Sequence, residues 1–94
     1  MSVKTAYQKK MRAQLDEWNA KIDELQARAD KKAAEGEIEV YRNLDRLKAK
    51  RDEVNSKMKE LEAAGEGSWE GLKSSVSEAA DKFKNKLDDL FARG

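Results

Sequence analysis

Apolar side chains between residues 5 and 34, here segment A, follow one another in alternating steps of four and three. Such steps place them on one stripe of a helix, the heptad pattern by which one helix packs along another. Thr5 followed by Gln8 has the pattern of a capping box, which predicts that the helix begins at about residue 5. The stripe consists of Met11, Leu15, Trp18, Ile22, Leu25 and Ala29.

Residues 40–61, here segment B, repeat this spacing and form a second seam. Arg51 occupies one of its seam positions. A polar residue there either penalises wrong alignments or packs its stem while its head reaches water, and the second interpretation is favoured. The apolar members of the seam are Val40, Leu44, Leu47, Val54, Met58 and Leu61.

Residues 69–91, here segment C, form a third helical stretch after the clearest break in the chain. Gly65 and Gly67 stop the preceding helix, and Ser68 is a good cap for the next. Because the linker is short, we expect segment C to fold back antiparallel onto segment B. The residues that complete this intramolecular seam are Trp69, Leu72, Val76, Phe83 and Leu87.

The junction at Gly36 leaves two all-α architectures open. Gly36 is able to end a helix, yet no Ser, Thr, Asp or Asn follows promptly to cap another. The step of 11 residues from Ala29 to Val40 fits a four-residue stutter within one helix. The favoured prediction is an antiparallel helical hairpin, with one long helix over about residues 5–63 and a shorter helix over about 69–92 folded back on its second half. The alternative is a three-helix bundle with a turn at Gly36, and both describe residues 1–94 as a single coiled-coil domain.

The two architectures differ in what covers segment A. A long helix leaves its apolar stripe exposed, and exposed stripes mark interfaces. This predicts a homodimer in which residues 11–29 pack against a second copy, with another protein as the alternative partner there. A turn at Gly36 would instead cover the stripe within the chain and give a monomer.

The composition limits the partners and the kinds of site that we expect for this chain. The chain has no Pro, and 41% of its residues are charged, with 20 basic and 19 acidic side chains. This balance gives no basic face, so nucleic acid is not an expected partner. The chain has neither His nor Cys, which excludes disulfides, imidazole catalysis and zinc sites built on those residues. The amino terminus lacks the apolar core of a signal peptide and no segment is apolar enough to cross a bilayer, so we expect a cytoplasmic protein.

Candidate catalytic and metal-binding groups all have simpler interpretations. Acid pairs such as Asp88 and Asp89 lie off the seams beside basic residues, as on a solvated helix face. The basic run of residues 46–51 is flanked by acids, and the serines have no His partner. The sequence therefore predicts no enzyme, no cofactor and no metal site.

Three stretches resemble a known group of proteins: LDEWNAKIDEL (residues 15–25), LKAKRD (residues 47–52) and SWEGLKSSV (residues 68–76). They are similar to small coiled-coil proteins of unknown function from proteobacteria and cyanobacteria. The resemblance covers nearly the whole chain. It implies a helical, cytoplasmic bacterial protein and carries over no catalytic residue.

Together these observations predict a non-enzymatic structural or protein-interaction coiled-coil module that self-associates. The alternative is a peripheral membrane or lipid-surface protein. It would bind through the amphipathic helix of residues 69–91, with Trp69 and Phe91 at its ends and lysines along it. A membrane is the less favoured partner, because the seam of segment B needs segment C to cover it.

Overall fold

The protein folds as three helices connected by two short turns, each helix antiparallel to the one before it, in a computed structural model that describes residues 3–65 and 67–92. The helices are α1 (Val3–Ala34), α2 (Glu39–Ala63) and α3 (Trp69–Ala92). The described part of the chain contains no strand. The prediction of an all-α fold is confirmed.

A turn at Gly36 separates α1 from α2. Gly36 has a φ of 99°, in the left-handed region that favours glycine. Its N–H donates to the carbonyl of Ala33 at 3.0 Å, and the N–H of Glu37 donates to that of Lys32 at 2.9 Å. This pair of bonds is the Schellman motif, which ends a helix by satisfying its last carbonyls. The favoured prediction of one continuous helix from about residue 5 to 63 is therefore wrong, and the chain adopts the alternative with a turn at Gly36.

The argument from helix caps failed for a physical reason. α2 begins at Glu39, and Ile38 before it makes no side-chain cap hydrogen bond. A cap contributes about 1 kcal/mol, whereas most of the stability of a protein helix comes from packing its apolar face. α2 therefore forms without one. α1 is already helical at Val3, two residues before the predicted start at about residue 5, so Thr5 lies within the helix and does not cap it.

The second turn agrees with the sequence. α2 ends at Ala63, and Ala64 is extended, with φ of −75° and ψ of 145°. α3 then begins at Trp69, directly after Ser68. The break predicted at the two glycines and the span of about 69–92 are both confirmed.

One hydrophobic core runs along the bundle and takes residues from all three seams. At its middle, the ring of Trp18 on α1 lies 4.7 Å from that of Phe83 on α3, centroid to centroid. Within the described residues every buried side chain is apolar, and no buried polar side-chain atom lacks a hydrogen bond. The fold is thus held by apolar packing inside and leaves its charges outside.

Candidate interaction surfaces

The α1 residues predicted to form an interface lie in the chain's own core. Their exposed fractions range from 1% for Ile22 to 8% for Leu25, because α2 and α3 cover them. The uncovered stripe from which a homodimer through residues 11–29 was inferred is therefore absent from the folded chain. Self-association stays a prediction, and it requires a different surface. The six residues are Met11, Leu15, Trp18, Ile22, Leu25 and Ala29.

The structure brings the predicted seam residues of α2 and α3 together in the same core. Val40 and Leu72 are half-buried at its edge, and the others are buried. The sequence analysis missed Ala79, which is 5% exposed. Its spacing of three from Val76 was the available signal, but alanine is common on both faces of a helix. The buried members are Leu44, Leu47, Val54, Met58, Leu61, Trp69, Val76, Phe83 and Leu87.

A row of polar contacts lines the open edge between α1 and α2. The guanidinium of Arg51 donates to Asn19 at 3.3 Å and pairs with Asp52 at 3.0 Å, while its side chain is 28% exposed. Its stem packs and its head reaches the surface, as the favoured interpretation held. Because each contact joins specific positions, the row also favours one alignment of the two helices, so the contacts of Arg51 fit both interpretations of this residue. The inter-helix pairs are Arg12–Asn55, Arg12–Glu62, Asn19–Arg51, Gln26–Lys48 and Asp30–Tyr41.

The outer groove between α2 and α3 carries an excess of positive charge, and we call it the basic groove. Small side chains lie among its residues: Ala49, Ser75 and Ala79. Five bases against two acids give it a net charge of +3. Lys82 pairs with Glu78 at 3.4 Å, while the four other bases make no ion pair with any described residue. Its charged members are Arg46, Lys50, Lys57, Lys82 and Lys86, with Glu53 and Glu78.

The basic run of residues 46–51 does not form one surface. Arg46 and Lys50 line the basic groove, whereas Lys48 turns towards α1 and donates to Gln26 at 2.8 Å. The groove is assembled from two helices, which is why adjacency in the sequence did not reveal it. The usable signal was helical spacing, with steps of four and seven along α2 and of four between Lys82 and Lys86.

The face of α1 opposite its buried stripe has the opposite charge, and we call it the acidic ridge. Three exposed alanines recur every seven residues along it, with acids on both sides. Lys21 and Arg28 are the bases of this stretch, and they pair with Glu17 and Glu24 at 4.0 and 3.4 Å. Five acids against these two bases give a net charge of −3 for the ridge. On the side towards α2, Asp16 and Asp23 also line a cleft with Arg12 and Arg51, and Asp30 accepts the hydrogen bond of Tyr41. The ridge consists of Ala13, Ala20 and Ala27 with Asp16, Glu17, Asp23, Glu24 and Asp30.

The apolar face of α3, which the lipid alternative requires, is turned into the bundle. Val76 and Phe83 are fully buried, and Trp69 is 5% exposed. Lipid contact through this face would require the bundle to open. None of the helices in the described ranges is both long and apolar enough to cross a membrane.

The clefts of the described residues differ in size and polarity. An apolar cleft beside Leu25, Val40 and Leu90 has a volume of about 80 Å³, well below the roughly 300–1,000 Å³ of ligand pockets. A wider, polar cleft between α1 and α2, beside Asn19 and Arg51, has a volume of about 440 Å³ and is open to solvent. Residues 3–65 and 67–92 contain no group of three acids placed to hold a metal ion. The hydroxyl of Tyr41 donates to the carboxylate of Asp30 at 2.8 Å, and this bond raises the pKa of Tyr41. The bond joins α1 to α2 and thus supports the turn.

Comparisons with known protein families, with curated proteins and with solved structures find no match for this chain. The resemblance to small bacterial coiled-coil proteins stays a prediction.

Proposed function

We propose that this protein is a non-enzymatic interaction module that self-associates through its outer helix faces. The three apolar seams are used within one chain, so a partner has to be recognised by what remains outside. The observation that carries the proposal is the separation of charge into an acidic ridge and a basic groove on a chain whose net charge is +1.

This separation is unfavourable in an isolated chain. Like charges at helical neighbours cost a few tenths of a kcal/mol per pair, and opposite charges gain about as much. Asp16 and Asp23 make no hydrogen bond or ion pair with a described residue, and neither do Lys50 and Lys57. A surface of opposite charge relieves both repulsions, speeds association and disfavours wrong partners. A second copy of the chain supplies both surfaces.

Sedimentation equilibrium over a wide concentration range at low salt tests the proposal. We expect the mean mass to rise above that of one chain as concentration increases. A single-chain mass up to about 1 mM, where a binding free energy would be only about −4 kcal/mol, would refute it. Asp16→Lys with Asp23→Lys, which reverses two charges of the acidic ridge, should weaken this association. Asp81→Lys with Asp88→Lys on α3 is the matched control, because it makes the same charge change outside both surfaces. This variant should associate as the wild type does.

The lipid-surface alternative has a separate test. Its apolar residues are buried, so we expect no co-flotation of the folded protein with vesicles that contain anionic lipid. Co-flotation that is lost on Phe83→Asp, with the fold retained, would favour the alternative over self-association.

A further inference from the structure

We propose that the acidic ridge of one copy docks into the basic groove of the next, so that copies join head to tail. The inference rests on the proposed self-association and adds the two surfaces and their arrangement. It replaces the symmetric dimer expected from the sequence with a contact between two different faces.

The two surfaces match in length and shape. The acidic part of the ridge, residues 16–30, is about 21 Å long, and the α2 side of the groove, residues 46–57, is about 17 Å long at 1.5 Å per residue. Exposed alanines form the crest of the ridge, and small side chains lie between the bases of the groove. Short side chains on both sides let two helices approach closely. The ridge can therefore lie along the groove with its acids beside the groove's bases.

Charge favours this pairing over a symmetric one. Two ridges packed together would oppose acids to acids, which costs free energy. In the proposed contact Asp16 and Asp23 meet bases such as Lys50 and Lys86, which make no ion pair with any described residue of their own chain. The long side chains of Lys and Arg extend beyond the small side chains that lie between them, and so reach towards the shorter acidic side chains of the ridge.

A contact between different faces leaves one free ridge and one free groove at its two ends. Such heterologous contacts build rings where the rotation closes and open chains where it does not. The assembly should therefore pass beyond a dimer as concentration increases. It should also weaken in salt, because the screening length falls from about 10 Å at 0.1 M to about 3 Å at 1 M.

The test is complementation between two charge-reversed variants, followed by sedimentation velocity. Lys50→Glu with Lys86→Glu makes the groove acidic, and Asp16→Lys with Asp23→Lys makes the ridge basic. Each variant then carries two surfaces of one sign, so each alone should associate at least about tenfold more weakly than the wild type. Mixed in equal amounts they should associate again, because each ridge then meets a groove of opposite charge.

The possible outcomes separate the inference from the proposed function. The inference would be overturned if the mixture associates as weakly as each variant alone. It would also be overturned if both variants associate as the wild type does, and self-association would then use another surface. A wild type that stays monomeric removes both. Binding of the wild type to a DNA duplex or to anionic vesicles, lost in the groove variant without any self-association, would assign the groove to phosphate and overturn the inference. Circular dichroism of each variant checks that these exposed or half-buried substitutions leave the helices intact.

Discussion

Replacing Gly36 by alanine tests the architecture of the bundle, because the two arrangements considered for this chain respond in opposite directions. In the structure Gly36 has a φ of 99°, which alanine adopts only with strain. An added Cβ would meet no heavy atom within 4 Å, so the cost comes from the backbone alone. In a continuous helix the same change would remove an unfavourable mid-helix glycine.

The expected loss is about 1–2 kcal/mol of unfolding free energy, the typical cost of placing an alanine in the left-handed region. For a domain of this size this corresponds to a fall in melting temperature of about 4–8 °C per kcal/mol. Urea unfolding followed by circular dichroism measures it, with a midpoint lower by about 1 M or more for an m-value near 1 kcal/mol/M.

A stabilised Gly36→Ala variant would refute this reasoning. A glycine in mid-helix costs about 1 kcal/mol relative to alanine, so stabilisation by that amount is what a continuous helix would give. Gly65→Ala serves as the control, because Gly65 also has open space around its Cα but does not have a positive φ. It should show none of the loss expected at Gly36.

Three further measurements address the core, α3 and the Tyr41 hydrogen bond. Phe83→Ala should cost about 3–5 kcal/mol in urea unfolding, because the ring is fully buried, and a loss below about 1 kcal/mol would contradict its place at the centre of the core. Gly71→Ala should stabilise the protein by up to about 1 kcal/mol, since Gly71 is an exposed helical glycine with free space around it; a lower melting temperature would contradict this. The raised pKa of Tyr41 means that its contribution to stability is present below about pH 10 and is lost as pH rises through the folded-state pKa. In a Tyr7→Phe background, tyrosinate absorbance should show that pKa falling on Asp30→Asn, and an unchanged titration would show that Asp30 is not the cause.

The sequence predicted which side chains form the core more accurately than how the chain connects them. Apolar spacing identified all six buried α1 positions and the seams of α2 and α3, because burial follows the helical period whatever the topology. It misled about the connection, because the 11-residue step from Ala29 to Val40 favoured a continuous helix over the turn that the chain makes at Gly36. The continuous helix and the turned bundle differ by a few kcal/mol of local backbone and capping free energy. The turned bundle also gains the burial of α1 against its own chain, and apolar spacing does not reveal which contribution is larger.

The two charged surfaces differ in how far the sequence alone predicts them. The acidic ridge lies on one helix and could be read from its seven-residue spacing. The basic groove depends on the relative placement of two helices. This placement puts Arg46 and Lys50 on α2 opposite Lys86 on α3, while Lys48 faces α1. The charge of this groove therefore depends on the antiparallel alignment of α2 and α3, which helical spacing alone does not give.

The seven-residue repeat of α1 gives this helix neighbouring alignments that are chemically alike. A slide of one heptad, about 10.5 Å, would bring Leu15 to the place of Ile22 and Trp18 to that of Leu25, apolar for apolar. A core without polar groups discriminates weakly between such degenerate registers. The short connection of residues 35–38 and the polar row between α1 and α2 remove the degeneracy. The Schellman turn thus selects a single alignment, and a longer connection would release a set of competing folded states.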